Sequence, residues 1–171
     1  MTKNTRDDPA DVTVVVEIPT GTRNKYEFDR TTGQIFLDRM LFTAVRYPAD
    51  YGYIEGALGA DGDYLDALVL VGEPTFPGCR IRARPVGLFR MWDEKGRDEK
   101  IICVPLRDPM WSHVKELDDL QATVRSEIEH FFTIYKDLDE EKVGTEGFAG
   151  REEAMEVIAE ARKRLSEEDG E

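Results

Sequence analysis

The stretch Val12–Ile18, with the sequence VTVVVEI, opens the folded part of the chain. Its valine and isoleucine content is typical of a β-strand. On the two-residue period of a strand, residues 12, 14, 16 and 18 share one face, and Glu17 points to the opposite face. Pro19 ends the strand, because proline has no N–H to donate to a ladder. We therefore predict a sheet that starts at residue 12 and carries a carboxylate on its second face.

More strands follow outward from this one. Lys25–Phe28 and Gln34–Leu37 are the arms of a predicted hairpin, joined by turn residues at 29–33. Later strands are predicted at 65–71, at 80–92 with a break, and at 100–104, with glycine and proline turn signals between them.

Helices are predicted only near the end, where residues 110–171 contain no proline. Apolar residues recur at helical spacing from Leu120 to Tyr135, with Asp118 or Asp119 as the N-cap. A second helix is predicted from about Arg151. Strands followed by helices indicate an α+β domain, most simply a small closed barrel with the helices outside. We expect one domain over residues 12–171, after a flexible polar leader at 1–11.

The balance of charge excludes several classes of partner. The 171 residues include 36 acids and 23 bases, a net charge of −13, which argues against binding to nucleic acid or to an anionic membrane. An anionic substrate is still allowed, provided that metal cations lie between it and the carboxylates. No run reaches 18 apolar residues, and two cysteines suit a reducing cytosol. We expect a cytoplasmic protein.

Residues 50–73 are the first candidate for chemistry, with six acids and neither lysine nor arginine. Asp61, Asp63 and Asp66 repel one another unless water or a cation screens them. A ligand set of oxygens alone selects a hard cation such as Mg²⁺ or Mn²⁺. An EF-hand loop is excluded, since it would need glutamate where the chain has Gly72. A solvated acidic turn is the alternative to a metal site.

Further polar groups favour a site over a solvated turn. Asp93 and Asp98 flank a predicted hairpin loop, and Lys100 shares the strand face of Asp98. Lys25 and Glu27 share a face of an earlier strand. Each of these groups has a structural alternative, such as a surface turn or the edge of a core. The remaining candidates are Arg39, the tyrosines Tyr47, Tyr51 and Tyr53, and the pair Tyr135 and Lys136 at the end of the long helix.

Seven segments in one order resemble the family I, or soluble, inorganic pyrophosphatases, in the style of their actinobacterial members. Their D-G-D-x-[aliphatic]-D signature is the most specific of the matches, and the resemblance covers about residues 12–140. The chain departs from the signature at Tyr64, where Pro or Glu is common, but no carboxylate is lost. The segments are VEIP at 16–19, NKYEFD at 24–29, LDR at 37–39, YPADYGYI at 47–54, DGDYLDALVL at 61–70, RPVGLFRMWDEKGRDEK at 84–100 and HFFTIYKDL at 130–138.

The resemblance implies hydrolysis of pyrophosphate to two phosphates by a metal-activated water. It also implies an OB-like five-stranded barrel with two C-terminal helices outside, and a homo-oligomer, typically a hexamer. Several Mg²⁺ ions are implied, with Mn²⁺ as a substitute. The implied metal ligands are Asp61, Asp66, Asp93, Asp98, Glu27 and Glu17.

Other residues take their roles from the same resemblance. Asp63 corresponds to the general base, with Asp98 as its competitor, and Asp66 corresponds to a carboxylate shared by two ions. Tyr47 and Glu94 correspond to supporting residues of the cavity. The implied substrate ligands are Lys25, Arg39, Tyr51, Lys100, Tyr135 and Lys136.

Two functions from other classes stay open at this stage. An acidic barrel that only buffers or presents metal would need the aspartates, but it would have no use for Lys25, Arg39 and Lys136 beside them. An OB-fold nucleic-acid module would stack bases on tyrosines such as Tyr51 and Tyr53. The net charge of −13 argues against that module.

Overall fold

The computed structural model describes residues 10–170, which form eight strands and two α-helices. Residues 1–9 of the predicted leader lie outside the described residues. Among the described residues, neither helix combines the length and the apolar character needed to cross a bilayer. The elements are β1 (Val12–Ile18), β2 (Asn24–Asp29), β3 (Gln34–Met40), β4 (Asp50–Leu58), β5 (Tyr64–Val69), β6 (Arg80–Asp93), β7 (Gly96–Pro105), α1 (Ala122–Ile134), β8 (Gly144–Gly150) and α2 (Arg151–Asp169).

Five strands close on one another in a ring. The order is β1, β4, β5, β7 and β6, and β6 pairs back with β1. Four of the five pairings are antiparallel, and β5 with β7 is parallel. Strand β8 extends the sheet beside β6, while β2 and β3 form a separate hairpin. The predicted α+β class is confirmed, with a closed arrangement of five strands and two C-terminal helices.

The strands separate two apolar cores by simple alternation. Along β5, Leu65 and Ala67 pack in the core that contains Ile158 of α2, whereas Leu68 packs in the core that contains Phe132 of α1. The same alternation along β7 assigns residues 101 and 103 to the α2 core and 102 and 104 to the α1 core. Polar side chains at 66, 98 and 100 therefore share the face that α1 covers.

A β-bulge in β1 changes the predicted face of Ile18. Val16 pairs with Gly52 and Ile18 with Tyr51, so Glu17 is an extra residue in the ladder. Ile18 then packs in the α1 core, while Val12 packs in the α2 core. The prediction that residues 12 and 18 share one face is wrong, because the bulge adds one residue to the two-residue period.

The predicted N-cap of α1 is also wrong. The helix starts after Gln121, which makes no capping hydrogen bond through its side chain. Asp119 belongs to a short 3-10 turn at Leu117–Asp119, where its Oδ2 accepts from the backbone N–H groups of Lys115 and Glu116 at 2.9 and 3.0 Å. The acidic residue therefore closes the turn that precedes the helix.

Two strands were not predicted, and both contain glycine for reasons of close contact. In β4, a Cβ on Gly52 would lie 1.9 Å from the carbonyl oxygen of Val15 on the paired strand. In β8, a Cβ on Gly144 would lie 2.2 Å from the ring of Trp92 on β6. Glycine weakens the local signal for a strand. Both strands form because neighbouring strands supply their ladders.

We expect Gly52→Ala to lower the free energy of unfolding by about 3 kcal/mol, because its methyl group would collide with a backbone atom that cannot move without opening the β1–β4 ladder. Gly72→Ala is the matched control, since its Cβ would meet only the Met110 sulfur at 3.8 Å. Urea unfolding of both variants measures the difference. Equal midpoints would contradict the close contact.

Candidate functional site

A cavity of about 250 Å³ opens between the covered face of the ring, the β2–β3 hairpin and the end of α1. It brings together residues that are far apart in the chain, including most of the residues singled out from sequence. Arg39 and Glu94 are the two that do not line it. The predicted residues that do line it are Glu17, Lys25, Glu27, Tyr47, Tyr51, Asp61, Asp63, Asp66, Asp93, Asp98, Lys100, Tyr135 and Lys136.

The ammonium of Lys100 lies at the base of the cavity, with 2% of its side chain exposed. Its Nζ donates to the Tyr51 hydroxyl at 2.7 Å, to Asp98 at 3.0 Å and to Asp66 at 3.1 Å. The same atom lies 5.2 Å from the centre of the Phe132 ring. Parallel pairing of β5 with β7 places residue 66 opposite residue 100, so this cluster is built on strands. The sequence prediction that Lys100 shares the face of Asp98 is confirmed.

The three charges of this cluster differ in their titration. Burial raises the pKa of Asp66 to about 7, although the Lys100 ammonium opposes the change. Burial also acts against ionisation of Asp98, but the ammonium and its hydrogen bond hold the pKa of Asp98 below its ordinary value. Burial alone would lower the pKa of Lys100, yet the two carboxylates raise it. The ammonium thus stabilises the ionised form of Asp98, whereas burial favours the protonated form of Asp66.

The loop that carries Asp61 and Asp63 closes on itself before β5 begins. The N–H of Gly59 donates to the carbonyl of Asp63 at 2.6 Å, and the N–H of Asp63 donates to Oδ1 of Asp61 at 3.1 Å. Gly62, between the two aspartates, has φ of +90°, which an L side chain rarely adopts. Asp61 and Asp63 are exposed. A tight glycine turn thus places both aspartates at the wall of the cavity.

Glu17 lies at the bulge in β1 and lines the cavity. Its Oε2 accepts from the backbone N–H of Phe28 in β2 at 2.7 Å. Burial raises the pKa of Glu17 from about 4.5 to about 8, and the Phe28 hydrogen bond only partly offsets this effect. Glu17 is therefore a protonated acid at neutral pH unless a cation stabilises its charge.

The cationic side chains at the rim are paired with acids. Nζ of Lys25 lies 2.6 Å from Oε1 of Glu27, which confirms that the two share a face. Nζ of Lys136 lies 2.8 Å from Oε2 of Glu141, and the other oxygen of Glu141 lies 3.7 Å from Nη2 of Arg39. Arg39, which does not line the cavity, is therefore joined to Lys136 through one carboxylate.

Three buried tyrosines of the cavity, Tyr47, Tyr51 and Tyr135, keep their hydroxyl protons. Burial raises the pKa values of Tyr47, Tyr51 and Tyr135 above the ordinary value. Tyr47 packs 4.6 Å from the ring of Phe131 on α1, which agrees with its interpretation as a residue at the core edge. These hydroxyl groups are suited to donate hydrogen bonds to an anion.

The donors in the cavity fit a hard divalent cation by their chemistry, since the acids offer only carboxylate oxygens. Within residues 10–170, no three acidic, histidine or cysteine side chains already converge on one metal position. Asp66 and Asp98 instead face the Lys100 ammonium, which shows that this pair accepts a cation.

Sequence reasoning missed several contributors and gave one acid the wrong emphasis. Arg30, Tyr64 and Lys95 line the cavity, and Glu141 contacts Lys136 in the cavity and Arg39 beside it, but no local pattern connects these residues. Asp50 belongs to the acidic stretch, yet it is fully buried and accepts from the N–H of Thr20 at 2.8 Å and from the hydroxyl of Thr75 at 2.5 Å. Asp50 therefore stabilises the fold.

Comparison with known proteins gives a consistent result. The family model described as inorganic pyrophosphatase matches residues 14–166. The inorganic pyrophosphatase of Streptomyces coelicolor is 52% identical over 159 residues, which is 92% of this chain and 97% of that protein. The structure of the Helicobacter pylori enzyme superposes with a TM-score of 0.90 at 41% identity, covering 94% of this chain and 96% of that one. For the Thermus thermophilus enzyme the TM-score is 0.89 at 42% identity, covering 92% of each chain.

The raised pKa of Glu17 predicts that the stability of the metal-free protein, measured in the presence of a chelator, depends on pH. The folded chain holds a proton that the unfolded chain loses near pH 4.5, so the stabilisation is complete below that pH and is lost as the pH rises toward 8. Glu17→Gln should lack this loss and melt higher than wild type at pH 9, by on the order of 5 °C.

Thermal unfolding between pH 4 and pH 9 measures this difference. The exposed Glu73, changed to Gln, is the matched control and should follow the wild-type profile. Parallel profiles for Glu17→Gln and wild type would show that Glu17 does not titrate in this range.

Proposed function

This chain belongs to the inorganic pyrophosphatase family and hydrolyses pyrophosphate to two phosphates, and we propose that the reaction takes place in the cavity above Lys100. One observation carries this assignment: acids that can hold cations and bases that can bind phosphate line the same cavity. Pyrophosphate is a compact polyanion, so the carboxylates can approach it only through cations, while the bases can bind it directly. The lining acids are Glu17, Glu27, Asp61, Asp63, Asp66, Asp93 and Asp98, and the lining bases are Lys25, Arg30, Lys95, Lys100 and Lys136.

The cofactor that we propose is Mg²⁺, with several ions at the site and Mn²⁺ as a substitute. When bound, such ions neutralise substrate charge and acidify a coordinated water. Asp66 is the proposed shared ligand, because it lies at the centre of the strand cluster and its burial disfavours an uncompensated charge. The other proposed ligands are Asp61, Asp93, Asp98, Glu27 and Glu17.

Asp63 is the proposed proton acceptor, with Asp98 as the alternative. Asp63 is exposed on the loop and lines the cavity, so its carboxylate is open to solvent. Asp98 is held by the Lys100 ammonium at 3.0 Å, which stabilises its ionised form and makes it a weaker base. The hydrogen-bond geometry thus favours Asp63.

Substrate binding is assigned to the basic and hydroxyl groups around the acids. Lys25, Arg39 and Lys136 would hold phosphate oxygens and stabilise charge on the departing phosphate. Arg39 and Lys136 must first exchange Glu141 for the substrate. The remaining proposed contacts are the Tyr51 and Tyr135 hydroxyls and the Lys100 ammonium, with Tyr47 and Glu94 in support.

We further propose a cytoplasmic homohexamer, with residues 12–171 as one domain. The two cysteines are free, in keeping with a reducing compartment. Large apolar side chains at 36, 37, 40 and 42 are 50% or more exposed, a patch that suits contact with other subunits. The net charge of −13 supports the absence of nucleic-acid and membrane partners.

The rival functions lose support in this geometry. The Tyr51 hydroxyl accepts a hydrogen bond from the Lys100 ammonium, and the Tyr53 ring stacks on the Tyr64 ring at 4.9 Å. These rings are therefore already engaged and do not form an open platform for nucleic-acid bases. A metal buffer would have no use for the bases that line the same cavity.

Asp66→Asn should lower pyrophosphate turnover by about 10²–10³ at saturating Mg²⁺, because Asn keeps the shape of the side chain but loses the charge that holds a cation. Asp118→Asn is the control, at an aspartate whose side chain is 95% exposed and does not line the cavity. Phosphate release measures turnover, and a melting curve in chelator verifies that each variant folds. Wild-type turnover of Asp66→Asn would refute the site assignment.

Removal of divalent metal should abolish turnover, since the lining carboxylates would otherwise repel the substrate. Dialysis against chelator followed by addition of Mg²⁺ should restore the full rate. Addition of Na⁺ at equal ionic strength is the control and should restore nothing. Turnover that persists in excess chelator would count against a metal-dependent site.

A further inference from the structure

Arg30 ties three parts of the chain together at the edge of the cavity. It lies in the β2–β3 turn, and its Nη1 donates to the carbonyl of Gly62 at 3.0 Å. Its Nη2 donates to Oε2 of Glu168, near the end of α2, at 3.1 Å. The guanidinium carbon lies 4.6 Å from the centre of the Tyr64 ring. One planar side chain therefore contacts the aspartate loop, the last helix and the start of β5.

The Tyr64 ring is itself held in place. It stacks on Tyr53 of β4 at 4.9 Å with an interplanar angle of 16°, and Phe28 of β2 lies 5.3 Å from Tyr53 and 6.5 Å from Tyr64. Tyr53 is 6% exposed, so this stack is anchored in the ring of strands. The stack gives the guanidinium a fixed surface on which to lie.

The carbonyl that Arg30 binds belongs to the residue between Asp61 and Asp63. This peptide lies between the two aspartates, so its orientation affects the position of one relative to the other, and φ of +90° at Gly62 leaves the turn with the freedom of glycine. Arg164 of α2 donates to the carbonyl of Leu58 at 2.6 Å, on the other side of the loop. The exposed loop is thus held at two carbonyls, that of Leu58 by Arg164 and that of Gly62 by Arg30, which Glu168 in turn ties to α2.

We propose that Arg30 is a positioning residue for metal binding, which orients the Asp61–Asp63 loop through the Gly62 carbonyl while Tyr64 and Glu168 hold its guanidinium. The proposal rests on the proposed function, because it assumes that this loop binds the activating cations. It also gives Tyr64, the departure from the family signature, a role as the support of the arginine.

The sign of the effect separates positioning from simple electrostatics. Arg30 is a positive charge beside an acidic cavity, so its removal by charge alone should tighten the binding of a divalent cation. Loss of an orienting contact should instead weaken binding, typically by 10–100-fold for groups that hold metal ligands. The two explanations predict opposite changes.

The experiment is titration of the substrate-free protein with Mn²⁺, followed by electron paramagnetic resonance of the free ion. We expect Arg30→Ala to bind Mn²⁺ about tenfold more weakly than wild type. Arg46→Ala is the matched control, because Arg46 is also exposed and donates to a glycine carbonyl, that of Gly21 at 3.4 Å, away from the loop. A change of less than threefold in Arg30→Ala, or tighter binding, overturns the proposal.

Two more variants keep the test decisive if Arg30→Ala folds poorly. Tyr64→Leu removes the ring under the guanidinium, and Glu168→Gln removes its anchoring charge, so each should weaken Mn²⁺ binding by at least threefold. In activity assays of Tyr64→Leu and Glu168→Gln, the Mg²⁺ concentration for half-maximal turnover should rise along with the loss of Mn²⁺ affinity. The kcat of these two variants at saturating Mg²⁺ should stay within about twofold of wild type. Unchanged Mn²⁺ binding in both variants overturns the proposal, as does a loss confined to kcat.

Asp66→Asn distinguishes failure of this proposal from failure of the proposed function. If Asp66→Asn loses Mn²⁺ but Arg30→Ala keeps it, the site assignment holds and only the positioning role fails. If Asp66→Asn binds Mn²⁺ as tightly as wild type, the cavity is not the metal site, and both proposals fail.

Discussion

The buried ammonium of Lys100 is the interaction on which the cavity depends. A buried charge without partners costs several kcal/mol, so the fold must supply compensation where the side chain ends. Parallel pairing of β5 with β7 supplies it, since this register puts Asp66 beside Lys100, and Asp98 lies two residues earlier on the same face. The cluster is net acidic once both aspartates ionise. A further cation beside this cluster therefore lowers its electrostatic energy, and the sheet holds the cluster in a fixed position.

The closed ring of strands explains how a polar cavity and two apolar cores coexist in a small protein. Alternation gives each strand one face toward α2 and another toward α1, and the cavity occupies the end of the second face. At the bulge in β1, Ile18 packs in the α1 core and the neighbouring Glu17 lines the cavity. Adjacent residues of one strand thus contribute to the core and to the site.

The site combines groups of different rigidity. Asp66, Asp98 and Lys100 lie on the paired strands β5 and β7, whereas Asp61 and Asp63 are on an exposed glycine turn. Acids at the rim, above all Glu141, are placed where the substrate's phosphates would compete with them for Lys136. Under the proposed assignment, strand-borne groups would define where the cations lie, and groups on turns and at the rim would exchange partners as substrate binds and product leaves.

Local sequence patterns were enough to predict the fold class, the shared face of Asp98 and Lys100 on β7, and most residues of the cavity. Side-chain period and motif spacing are properties of neighbouring residues, so they can be read from the sequence alone. These patterns failed at Ile18, at Asp119 and at the two glycine-containing strands. A bulge, a turn cap and a close backbone approach depend on what lies across the ladder. Only the tertiary structure decided that Asp50 is structural, that Glu141 holds Lys136, and that Arg30 reaches Gly62 across 32 residues. Such contacts form when the chain folds and brings distant residues together. The sequence between two such residues does not indicate that their side chains will meet.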